Sequence, residues 1–140
     1  MTDYSKLQLA LKHLEQQLAN LDAAYSRTEL TSLDREAIAE STIQRFETAY
    51  DTCWKSLKRY LVEVMGVVDI ANSPKPILRE ANVNNLLNDR IVEWLVYADA
   101  RTATAHDYSG TKAAETLAIV PSFMADAIDL YQMITGTPWQ

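Results

Sequence analysis

The chain has 140 residues, enough for one domain whose core needs neither disulfides nor a structural metal. A net charge of −6 and a pI of about 4.8 exclude a generic nucleic-acid coat protein, which needs a broad basic footprint. Only three glycines and four prolines, with 48% hydrophobic residues, point to long regular elements and few turns.

Every segment reads helical. Leu7, Leu11, Leu14, Leu18, Leu21 and Tyr25 recur at spacings of four and three, the stripe of an amphipathic helix. Ser5 with Gln8 has the spacing of a capping box at its start. The polar turn TELTSLD offers several N-caps for a second helix, expected over residues 34–65. Its stripe is Ile43, Phe46, Tyr50, Cys53, Trp54, Leu57, Leu61 and Val64, and Gly66 stands where a C-terminal glycine belongs. Such a helix is roughly 45 Å long, a length that an elongated bundle buries.

Ser73 followed by Pro74 predicts a short helix through Ile77 and Leu78 to Ala81, broken by NVNN. The next helix is expected from Asn88 or Asp89, burying Ile91, Trp94, Leu95 and Ala98, with Ser109-Gly110 stopping it. The last begins near Thr111 and carries Leu117, Val120, Phe123, Met124, Ile128, Tyr131 and Ile134. Pro121 either kinks it or starts a fresh segment. With no repeat or linker, the expectation is a single all-α domain over residues 1–140. It is an antiparallel, up-and-down four-helix bundle with one short extra helix.

Several chemistries lack their residues. No phosphate loop, G-x-S-x-G or dinucleotide fingerprint is present. His13, His106 and Cys53 are the only imidazoles and thiol, and no pair of them has zinc-ligand spacing, so neither a metal nor a cofactor is expected. The lone cysteine allows no intrachain disulfide, and the polar opening MTDYSKLQ does not read as a signal peptide. The longest apolar runs fall short of a bilayer's thickness. A cytoplasmic location without membrane contact is therefore expected.

One stretch concentrates reactive groups: RTATAHDY, residues 101–108. Arg101 and His106 are five residues apart, about 140° around an ideal helix. Near a helix C-terminus the macrodipole favours a protonated imidazole. A histidine there can give and take a proton, and an arginine can hold a phosphate and neutralise charge building on it. That pair is a minimal kit for cleaving RNA without a metal. By spacing alone, an Arg-x4-His at a helix end is more often a solvated pair, and Tyr108 a surface aromatic. Lys55, Lys58 and Arg59 form a small basic patch whose ordinary reading is a solvated face. Cys53 and His13 read as inert packing and as surface. Glu47, at the edge of the apolar stripe, is expected to pair with a lysine or arginine. Arg79 and Arg90 are further cations that could add positive potential near Arg101, and the sequence does not place them.

The segments IQRFETAYDTCWKSLKRYL (43–61), SPKPILREA (73–81) and the Trp94 helix ending in RTATAHDY resemble, in this order, the nucleotidyltransferase substrate-binding-protein-like family of the HEPN superfamily. The resemblance covers most of the chain and weakens toward the N-terminus. It implies a four-helix bundle that forms a homodimer and binds a minimal nucleotidyltransferase. It also implies a metal-independent ribonuclease toxin whose Arg and His meet across the dimer, silenced by AMP transfer to a tyrosine. Carried onto this sequence, Arg101 and His106 are catalytic and Tyr108 is the AMP acceptor. Thr102 takes a supporting position where relatives usually carry Asn or another polar residue able to hydrogen-bond. The alternative the resemblance leaves open is a non-catalytic subunit that binds a nucleotide or other substrate for the nucleotidyltransferase.

Overall fold

The computed structural model describes residues 2–105 and 110–140. Among the described residues five helices follow one another: α1 Ser5–Ala24, α2 Ser32–Glu63, α3 Pro74–Val83, α4 Ile91–Ala103 and α5 Gly110–Thr135. No strand occurs among the described residues. The four long helices form the expected up-and-down bundle, with α3 as the short extra helix in its middle connection. α2 is the central member and touches all four others.

Local chemistry explains the boundaries. α2 starts on a capping box: the Asp34 amide donates to Thr31 Oγ1 (3.1 Å) and the Thr31 amide to the Asp34 carboxylate (2.9 Å). Those bonds hold the Asp34 carboxyl below the usual carboxylate range. At its other end Val67 N–H reaches Leu61 O (2.9 Å) across Gly66, whose φ of +71° suits glycine. α1 departs from expectation. Ser5 does not form a capping box; instead its amide donates to the Asp3 carboxylate (2.8 Å). Tyr25 leaves the stripe and is exposed, because α1 ends at Ala24.

α4 begins at Ile91 rather than at Asn88 or Asp89. Both of those residues have left-handed backbones (φ +52° and +59°), which asparagine and aspartate tolerate and a helix does not. α5 runs unbroken through Pro121, so this proline neither starts a new helix nor divides the old one. As one element, α5 is long and apolar enough to cross a membrane, contrary to the expectation from uninterrupted apolar runs. Its Val120, Phe123, Ala127, Leu130 and Ile134 are buried inside the bundle, with Asp126 among them.

Phe123 is the hub of the core. Its ring stands edge-on to Phe46 of α2 (centroids 5.0 Å) and to Trp94 and Tyr97 of α4 (5.8 and 5.3 Å). A polar link, buried at Asp126 and Tyr97, runs beside it. Asp126 accepts from Arg90 Nε (2.6 Å) and from the Tyr97 hydroxyl, which also bonds Ser122 Oγ (2.8 Å). Together they fix α4 against α5. The C-terminal Trp139 folds back, packing on Tyr131 and donating its indole N–H to Glu15 of α1 (3.0 Å).

Candidate functional site

The site is built where the last turn of α4 crosses the middle of α2. Arg101 points at two carboxylates one helical turn apart on α2. Its Nη1 donates to Glu47 Oε2 (3.0 Å). Its Nε and Nη2 form a fork on Asp51, reaching Oδ1 at 3.3 Å and Oδ2 at 3.2 Å. The two carboxylates differ in setting. The Glu47 side chain is 9% exposed, whereas that of Asp51 is 35% exposed and Arg101's is 31%.

Glu47 has a further anchor. Thr104, fully buried at the C-cap of α4, donates its hydroxyl to the same Oε2 (2.9 Å). A buried carboxylate is costly unless paired and hydrogen-bonded, and here it has both. Glu47, Arg101 and Thr104 thus lock α4 to α2 and fix the guanidinium at a helix end. The expectation that Glu47 pairs with a cation is met, and the cation is Arg101.

Thr102 is exposed and turns its hydroxyl back to Ala98 O (3.2 Å) in its own helix. His106 and Tyr108 lie outside the described residues. Arg90 does not join Arg101: it sits at the far end of α4, about 16 Å along the axis, held by Asp126. Lys58 bonds Asn72 (3.1 Å) and Arg59 bonds Asp3 O (3.1 Å), while Lys55 lies over Trp54, so the basic patch on α2 is largely engaged in local contacts. His13 is exposed, and burial pushes the Cys53 thiol well above its ordinary value, keeping it protonated. The phenol of Tyr50, one residue before Asp51, is also pushed up, chiefly by burial. Its hydroxyl has no hydrogen-bond partner among the described residues.

The family model described as nucleotidyltransferase substrate binding protein like matches residues 2–135. The chain belongs to this family. A relative from Haemophilus influenzae, named probable ribonuclease HepT, is 31% identical over 105 residues, covering 74% of this chain and 71% of the relative. Among solved structures, a Haemophilus influenzae protein superposes with a TM-score of 0.82 at 27% identity, covering 94% of this chain and 98% of its own. It is described as having the fold of a substrate-binding domain of a nucleotidyltransferase. A Thermus thermophilus protein matches with a TM-score of 0.67 at 25% identity, covering 87% and 98% of the two chains. The family's name ties it to a nucleotidyltransferase.

Sequence reasoning missed Asp51 and Thr104. Asp51 had a signal, since it lies four residues after Glu47 on the same edge of the α2 stripe. Thr104 had none, because its burial follows from how α4 ends against α2.

Proposed function

We propose that this protein is a metal-independent ribonuclease of the cytoplasm, working as a homodimer and partnered by a minimal nucleotidyltransferase. The observation that carries this reading is the placement of Arg101. It is fixed by Glu47 and Asp51 at the end of α4, directly before the stretch that holds His106 and Tyr108. The name of the Haemophilus relative, probable ribonuclease HepT, supports the same chemistry.

In this account His106 takes the proton of an RNA 2′-hydroxyl as that oxygen bonds to phosphorus. Arg101 stabilises the negative charge that builds on the phosphorane, and the 5′-oxygen departs with a proton from the imidazolium. Thr102 flanks the phosphate, and AMP transfer to Tyr108 by the nucleotidyltransferase silences the enzyme. The direct test is RNA cleavage by unmodified protein in excess EDTA, beside His106→Ala. Cleavage by the wild type alone supports the proposal, and equal cleavage by both defeats it.

A second reading has its own support. The solved Haemophilus relative is described as having the fold of a substrate-binding domain of a nucleotidyltransferase. Under this reading the chain binds a nucleotide for the nucleotidyltransferase and cuts nothing. Calorimetric binding of ATP, lost in Arg101→Ala, together with no cleavage of any RNA, would favour it.

A further inference from the structure

The two carboxylates on Arg101 have different jobs, and the difference follows from their geometry. A guanidinium grips an oxyanion best through two parallel N–H groups. On Arg101 the Nε/Nη2 edge provides that grip, and Asp51 occupies it with both carboxylate oxygens. Glu47 takes the other terminal nitrogen, Nη1. A phosphodiester approaching Arg101 therefore meets Asp51 in the place its own two oxygens would take.

The Asp51 fork is also the looser hold. Its bonds are 3.2–3.3 Å against 3.0 Å for Glu47, and good charge-assisted pairs are nearer 2.7–2.9 Å. Asp51 is the more exposed carboxylate, so water can solvate it when it lets go. Glu47 cannot leave so readily. It is buried and held by the Thr104 hydroxyl as well as by Arg101.

The geometry points to a division of labour: Glu47 is a positioning residue that keeps Arg101 in place, and Asp51 is a built-in competitor that a phosphodiester must displace from the Nε/Nη2 edge. The inference rests on Arg101 being the phosphate-binding group of the proposed function, but not on cleavage. It makes Asp51 a selectivity element, because only an oxyanion that outcompetes a tethered carboxylate gains the fork. A second consequence is that anion affinity in the wild type is weaker than Arg101 alone would give.

The test uses the deoxydinucleotide TpT, whose phosphodiester has no neighbouring 2′-hydroxyl. Its binding is followed by isothermal titration calorimetry on the full chain, with a thermal melt of each variant to establish folding. Asp51→Ala and Asp51→Asn should each bind TpT about ten- to a hundredfold more tightly than wild type, a range set by the strength of hydrogen bonds to charged groups. Arg101→Ala should bind none, and Asp51→Ala combined with Glu47→Gln should lose most of the gain. Unchanged affinity in the Asp51 variants overturns the inference. So does tightening in Asn alone, which would be the new amide's own bond, or the absence of TpT binding in every form. RNA cleavage is measured separately. Asp51-dependent TpT binding without cleavage would defeat the ribonuclease reading and leave the competition standing.

Discussion

Replacing Thr104 by valine removes one hydroxyl and leaves a side chain of the same shape. The hydroxyl is 2.9 Å from Glu47 Oε2 and fully buried. Its other near acceptors, Ala100 O at 3.2 Å and Arg101 O at 3.5 Å, are longer, and Ala100 O also accepts the Thr104 amide. The loss is therefore mainly that of one hydrogen bond to a buried charge, worth about 1.5–3 kcal/mol. Glu47 keeps Arg101, so the lower half applies, about 2 kcal/mol. Unfolding entropy for 140 residues is about 0.3 kcal/mol/K, so Tm should fall by about 7 °C. Urea denaturation should show the same loss with an unchanged slope. In a Glu47→Gln background the cost should shrink by about 1 kcal/mol, because the charged acceptor is gone. A Thr104→Val protein within about 0.5 kcal/mol of wild type, or strict additivity with Glu47→Gln, would refute the view that Thr104 anchors the Arg101 cluster.

Three further predictions concern the frame around the site. Phe123→Ala should cost about 4 kcal/mol by urea denaturation and Phe123→Leu less than half of that, since the ring packs edge-on to Phe46, Trp94 and Tyr97. A cost under about 2 kcal/mol for alanine would mean the hub collapses more easily than its packing implies. Tyr50→Phe should leave stability unchanged or raise it, because it removes a buried hydroxyl without a partner among the described residues. A loss above about 1 kcal/mol would show that this hydroxyl is bonded after all. Tyr97 is pushed up to about 12 by burial and by its bond to Asp126. An acid whose folded pKa is raised keeps its proton longer when folded. Its contribution is thus fully present below about pH 10, the ordinary tyrosine value, and is lost as pH climbs toward 12. Unfolding free energy measured from pH 9 to 12 should fall less steeply in Tyr97→Phe than in wild type, and identical slopes would contradict the assignment.

The fold was legible because its signals are local. The stripe from Phe46 through Leu61, the glycine at 66 and the Ser73-Pro74 start each depend on neighbours within two turns. Where the reading slipped, a short-range competitor had won. The Asp3 carboxylate takes the Ser5 amide at the start of α1, and Asn88 and Asp89 adopt left-handed backbones that delay α4. Pro121 does not start a fresh segment, because α5 continues through it as one helix.

The site was legible in part. Spacing alone did not single out Arg101, which gained its place from the family resemblance, while Glu47 was marked as a carboxylate in need of a cation; His106 and Tyr108 lie outside the described residues. That the cation is Arg101 could not be read locally, since 54 positions separate them. Asp51 and Thr104 join the Arg101 cluster only when α4 is laid across α2. The Arg90–Asp126–Tyr97 link was likewise invisible, because its partners come from opposite ends of the chain's second half.

The most direct measurement is the rate of RNA cleavage in excess EDTA by Arg101→Ala against wild type. Both proteins should be dimers of equal helicity, unmodified by intact mass. The account predicts a loss of at least about a hundredfold, the scale for removing a group that stabilises charge at the reacting centre. Rates within about twofold of each other would contradict it, leaving Arg101 as a clamp between α4 and α2 and nothing more.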